Sequence, residues 1–341
     1  MKLVLFLGCL FVSSLFSCSS EKQEERIEVT DILTLDSAEV VYDFVDKYPV
    51  SLSKIDSLLY VISIKSDTCM SVINLNTKKM LCSFGPVGHG DNDLLNPNFI
   101  LSIDSDDLLL DVGNLRRIVD VDYYEQDSIV MNDLEYPDLI FLSSELNMSD
   151  KYIVGRKIDA YDDSMFFIYN KKKEKIISVS CFPMLNYSIL DYNYTYSSVL
   201  ALNENKERII SGMYFFDMFH IYDLSGNRLK TIKFSDDCYP QVDRDLGRID
   251  FTKKYNGIVR AYPTQNYCYL LRMINRNAKG FPQYMLVQMD WEGCIRRCYM
   301  FNDSVSGQFL VDEVHNKIYI IKNYIDDDGE EVFSIVSYKL E

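Results

Sequence analysis

One pattern returns six times along this chain. It is a short apolar run rich in Tyr, Ile and Leu, preceded by polar or turn residues, at 59–63, 108–112, 152–156, 208–212, 267–271 and 317–321. A second strand-like run follows each of them, at 71–75, 118–122, 165–169, 220–224, 285–289 and 334–338. Most second runs pass through a tight turn into a third, as at 76–78, 171–173, 225–227 and 291–293. Gly and Asn in such turns, flanked by β-branched and aromatic residues, are hairpin signals. A weaker strand precedes the first run, for example at 99–103 and 307–311. The unit therefore has four strands and a period of roughly 45–65 residues, which is the signature of a propeller blade. The composition agrees, with 25 Tyr and 19 Phe but a single Trp, a bias that suits strands. The expected fold is all-β, a six-bladed β-propeller with four-stranded antiparallel blades.

The sixth blade runs out of chain after its third strand. An open array would expose backbone donors and acceptors along its edge. Residues 27–33 (IEVTDIL) alternate imperfectly and have no blade of their own. They are expected to pair with 334–340, so that the N-terminal strand completes the last blade. Residues 36–48 read as a helical turn or a loop.

The first residues have a different character. Lys2 precedes an apolar stretch at 3–16 that is too short to span a bilayer as a stable helix and reads as a signal peptide. It ends in Leu15-Phe16-Ser17-Cys18, which resembles a bacterial lipobox. The expected division is a signal peptide at 1–17, a lipidated Cys18 with a flexible tether through 26, and a propeller domain at 27–341. The alternative is an ordinary secretory signal that happens to end beside a Cys. Multiple acylation, palmitate included, would anchor the chain stably. Ser19 stands where an inner-membrane retention signal prefers Asp, which points to the outer membrane, facing the periplasm or the cell surface. The net charge of −16 argues against nucleic acid or anionic lipid as a main partner. A monomer is expected. Seven of the nine Cys remain once Cys9 and Cys18 are set aside, an odd number. Cys294 and Cys298 share a strand face but lie too far apart along it to pair. The Cys residues read as small buried hydrophobes.

One junction carries a resemblance. Residues 84–90 (FGPVGHG), 94–97 (LLNP) and 111–116 (DVGNLR) are similar to the repeats of NHL propellers and to the junctions of TolB-like six-bladed propeller lipoproteins of Gram-negative bacteria. Pro86 stands where that group often has a basic residue, and Asn92 where Gly is frequent. The resemblance implies the propeller fold and an envelope lipoprotein, with no fixed activity. Physically, Gly85, Gly88 and Gly90 permit positive φ in an inter-blade crossing. Pro97 stiffens the start of the next inner strand. Asn114 and Arg116 are expected to bond backbone groups between blades.

Chemistry-bearing clusters are sparse. The three His residues, His89, His220 and His315, fall in different blades. No GxSxG, HExxH or P-loop occurs. The acidic run 326–331 lacks calcium-loop spacing and reads as an exposed turn, and Lys171 to Lys175 as a hairpin tip. No metal and no cofactor is expected. Residues 213–216 (MYFF) either pack an outer strand or form an aromatic floor for a sugar or peptide. Arg156, Arg260 and Arg272 lie in or beside inner strands. They either line the channel and bind an anionic or carbonyl-bearing ligand, or close inter-blade salt bridges. With Tyr214 they are the candidate ligand-binding residues, on one end of the ring where loops of several blades converge. The expected function is non-catalytic binding of a protein, peptide or glycan by a membrane-anchored lipoprotein at the cell envelope. The alternative is a propeller hydrolase or lyase with a metal in the central channel.

Overall fold

A computed structural model describes residues 23–341 apart from 46, 91–92, 104–106, 125–127, 158–163, 181, 184, 186–191, 244, 277–281, 304, 326–328 and 330. Its main sheets are six antiparallel blades in a ring, a six-bladed β-propeller. In each blade strand A is innermost, with Leu101–Ser102 added in parallel inside strand A of blade three, and strand D or its substitute is outermost. The six A strands are Tyr48–Ile55, Asn98–Phe99, Ser143–Met148, Ser198–Asn203, Tyr255–Pro263 and Val305–Asp312. The B strands are Leu58–Ile64, Leu108–Val112, Tyr152–Lys157, Arg208–Met213, Tyr267–Arg276 and Lys317–Ile325. Each contains or overlaps the recurring first run of the sequence, and the C strands do the same for the second run. Blade two also has a D strand, Ser128–Leu134, that the turn pattern did not reveal.

An N-terminal strand does complete blade six, but not the segment expected. The strand is β3, Glu39–Phe44, antiparallel to strand C of that blade with Phe44 opposite Phe333 and Tyr42 opposite Ile335. Val41 and Phe44 are buried there, and Ser334 donates to the Asp43 carboxylate. A bulge shifts the register between Tyr42 and Val40. That bulge breaks the period-two pattern, and this is why residues 36–48 did not read as a strand.

The segment expected to close the ring instead runs along the outside. β1 (Gln23–Arg26) adds in parallel to strand D of blade four, Arg228–Lys233. β2 (Ile32–Leu35) adds in parallel to strand D of blade five, Ile295–Phe301. Residues 23–26 are thus part of a sheet, which shortens the expected tether. Charge explains the placement. The basic blade-four edge meets the segment's two glutamates through Lys233 to Glu24 at 2.6 Å and Lys230 to Glu25, and Arg26 of the segment pairs in the opposite sense with Asp236 at 2.6 Å. The signal-peptide and Cys18 readings lie outside the described residues.

Apolar clusters fill the spaces between blades, and polar staples add to them. Asp217 of blade four receives Arg272 of blade five in a bidentate pair at 2.6 Å and 2.6 Å. Ser235 and Asn256 also donate to Asp217, and the Arg272 guanidinium lies 4.7 Å from the Phe234 ring centre. Lys54 of blade one reaches Asp312 of blade six at 3.0 Å. Lys151 and Glu204 join blades three and four.

The glycine junction at 84–97 is structural. Gly85 has φ of 69°, and a Cβ there would sit 2.5 Å from Leu94 Cδ1. Asp93 accepts from the Gly90 amide at 2.7 Å. Arg117, not Asn114 or Arg116, makes the backbone bond in this crossing, donating to the Asp93 carbonyl at 3.3 Å. Asn114 and Arg116 are exposed. The described Cys residues are free thiols, and burial pushes Cys238 and Cys298 up to about 11.

Candidate functional site

In an antiparallel four-stranded blade, the B–C turns and the connections from D to the next A share one end of the ring. Aromatic residues gather at that end in blades four and five. Tyr194 belongs to a one-turn helix, Tyr192–Thr195, ahead of strand A of blade four. Tyr214 and Phe215 follow strand B of the same blade, and Phe251 and Tyr255 lead into strand A of blade five. Tyr284 opens strand C of blade five. With Glu145, Val259, Arg276, Pro282, Ser306, Gly307 and Gln308 they enclose a cavity of about 820 Å³, drawn from blades three to six.

The rings support one another. Phe215 is buried at the centre, 5.1 Å from Tyr194, 4.9 Å from Tyr214, 5.7 Å from Phe251 and 5.6 Å from Tyr255. Such edge and tilted contacts hold aromatic side chains in fixed orientations. Arg276 donates to the Tyr214 hydroxyl at 3.2 Å. Burial pushes the Tyr255 hydroxyl up to about 12 and raises that of Tyr284, so both remain neutral at physiological pH. Gly257 fixes the wall, since a Cβ there would stand 1.9 Å from the Tyr214 carbonyl oxygen. Only glycine lets strand A of blade five approach the end of strand B of blade four so closely.

Glu145 marks the floor. It sits in a bulge of strand A of blade three, where the register shifts between Ser144 and Asn147, with φ of 54°. A non-glycine residue in this region costs about 1–3 kcal/mol and recurs at functional sites. The Asn147 amide donates to the Glu145 carbonyl at 3.3 Å and braces the bulge. Glu145 lines the aromatic cavity, an adjoining cavity of about 260 Å³, and a small inner chamber of about 100 Å³.

The four candidates from the sequence part ways here. Tyr214 is in the wall of the large cavity. Arg156 lines the adjoining one and donates to Ser197 Oγ at 3.2 Å; burial lowers its pKa, and Glu145 opposes that shift. Arg260 reaches the inner chamber from blade five. Arg272 lines none of these spaces, because Asp217 engages its guanidinium in the inter-blade pair. His220 is buried with Nδ1 2.9 Å from Thr231 Oγ1, and His315 Nδ1 is 2.9 Å from Asp312. Among the described residues, no three His, Cys, Asp or Glu side chains gather as a metal site. Sequence reasoning missed Glu145, Tyr194, Phe251, Tyr255, Arg276 and Tyr284. For Tyr194 and Phe251 the available signal was an aromatic residue shortly before an A strand, whereas Glu145, Tyr255, Arg276 and Tyr284 lie within strands and carried no such signal.

No family model matches the chain, and no curated protein matches it. Solved structures do. A member of the DUF4221 family from Bacteroides vulgatus aligns with 92% of this chain and 98% of its own at a TM-score of 0.56 and 12% identity. The Swd1 β-propeller domain of Myceliophthora thermophila aligns with 88% of this chain and 99% of its own at 0.43 and 8% identity. A calcium-binding protein, regucalcin, from Agrobacterium tumefaciens covers 92% and 98% at 0.41 and 10% identity. At 12% identity the likeness to the first of these is one of fold alone.

Proposed function

We propose that this chain is an envelope lipoprotein of the TolB-like kind, held to the outer membrane through acylated Cys18, whose propeller binds a peptide or glycan without transforming it. The observation that carries the reading is the 820 Å³ aromatic cavity at one end of the ring. Concave sites with apolar walls and a few placed polar groups are where propellers and other folds take small ligands. Ring faces of Tyr194, Phe251 and Tyr284 offer apolar contact to a sugar face or a peptide side chain. Arg276, Gln308 and Glu145 supply the directional bonds. The anchor and the location rest on residues 2–19 of the sequence, and only four residues separate Cys18 from the first described strand.

The test is binding of the full chain in detergent to glycan and peptide arrays, followed by titration of the best hit. Tyr194→Ala and Phe251→Ala should each weaken it by about tenfold, the equivalent of roughly 1.4 kcal/mol from one ring contact. A hit whose affinity ignores both substitutions would overturn the assignment of this cavity.

A further inference from the structure

The inner chamber beneath the aromatic cavity gathers buried polar groups that have no partner. It is lined by Asn98, Phe99 and Asp111 of blade two, Leu101, residues 144–147 of blade three, and Arg260 of blade five. Arg260 therefore faces strands of blades two and three across the channel. Asp111 is 6% exposed and Asn147 2%, and the Oδ1 atoms of both make no hydrogen bond. The Nε of Arg260 makes none either. A buried polar atom left unpaired costs on the order of 1–3 kcal/mol. Three of them on one chamber amount to a preformed set of two acceptors and one donor. Its volume of about 100 Å³ equals on the order of three waters at liquid density.

We propose that the chamber is a binding subsite for a primary carboxamide, such as an Asn or Gln side chain or an amidated end of a larger ligand. The two N–H groups of the carboxamide donate to Asp111 Oδ1 and Asn147 Oδ1. Its carbonyl accepts from Arg260 Nε. A free carboxylate would bring two acceptors against two acceptors, and an ammonium would leave the Arg260 donor unpaired and add a like charge beside it. Burial alone pushes the Asp111 carboxyl up to about 7, so above that pH it is the ionised acceptor that the subsite uses. Glu145 and Arg260 are the other charged groups on the chamber wall, and Glu145 is also where it adjoins the aromatic cavity. The inference deepens the reading of the cavity as a ligand site by naming what one end of that ligand carries.

The test uses the full chain in detergent at pH 8, where Asp111 is ionised, and ligand-observed NMR with acetamide, N-methylacetamide, sodium acetate and methylammonium. Acetamide should bind saturably at millimolar concentration, on the order of 1–10 mM for so small a probe. It should bind at least about tenfold more tightly than the other three, as expected when a buried group is left unpaired. Arg260→Met and Asn147→Leu should each weaken acetamide by about tenfold. Tyr194→Ala should leave it unchanged, so failure of the aromatic cavity as a site and failure of the subsite read out separately. Absence of saturable acetamide binding would mean that water alone fills the chamber and would overturn the proposal. Equal or tighter binding of acetate, methylammonium or N-methylacetamide would do the same, and these probe comparisons need no variant to fold.

Discussion

Asp217 shows how much of this ring depends on single buried charges. Its carboxylate is 1% exposed and accepts from Arg272 twice, from Ser235 and from Asn256. Removing one partner of such a pair leaves the other buried and uncompensated. Asp217→Ala should destabilise the protein by about 3–5 kcal/mol. The double replacement Asp217→Leu with Arg272→Met should recover most of that loss, and denaturant unfolding measures both. A double variant as unstable as Asp217→Ala would show that the pair contributes more than its own desolvation. Asp111 makes the opposite prediction for pH. Its folded carboxyl titrates near 7, against 3.8 for the ordinary group, because it is buried. Between those values the folded protein holds a proton that the unfolded chain has released, so this group's contribution falls as pH rises through the window. The full effect is at most about 4 kcal/mol, complete above pH 7. Asp111→Asn should therefore raise the melting temperature at pH 8 and leave it nearly unchanged at pH 4. Identical differences at both values would mean that Asp111 is solvated.

The N-terminal strands divide their labour. β3 supplies the fourth strand of blade six, so the last blade joins both ends of the chain. β1 and β2 only widen blades four and five by one parallel strand each. Deleting 19–36 should leave the ring closed and lower its melting temperature by a few degrees, at about 1–2 °C per kcal/mol for a chain of this size. Deleting 19–45 should expose strand C of blade six and abolish a single cooperative transition. Calorimetry of the two truncations checks this, and matching melts would show that blade six does not need β3. The same physics explains the glycines at blade crossings. Where strand A of one blade passes the end of strand B of its neighbour, as at Gly257, the two backbones leave no room for a side chain.

At the scale of the whole molecule, closure gathers the candidate site at one end. Loops of blades three to six meet there, and the aromatic cavity and inner chamber share Glu145 as a common wall. The chain from Cys18 to β1 is only a few residues long, so a lipid on Cys18 would hold the outer rim of blade four near the bilayer. Cys18→Ser should leave the propeller folded and its cavity intact, but release the protein from the membrane fraction. Fractionation with mass spectrometry of the mature N-terminus decides this. An unmodified Cys18 in membrane-bound protein would remove the anchor from the proposal.

The recurring apolar runs determined the fold, because a blade announces itself locally. Period-two alternation, turn residues and a recurring four-strand unit need no knowledge of distant contacts. The local pattern also supplied Tyr214 and drew attention to Arg156 and Arg260. It could not distinguish them from Arg272, whose partner Asp217 lies 55 residues away on the neighbouring blade. Nor could it choose which N-terminal segment closes the ring, since a bulge in β3 hides its alternation and a run of charge steers β1 to a basic edge. Glu145, Tyr194, Phe251, Tyr255 and Tyr284 are ordinary loop and strand residues one by one. They come together as a candidate site only because ring closure brings one end of four blades together. Arg260 meets Asp111 and Asn147 for the same reason, across a channel that exists only once the tertiary structure has formed.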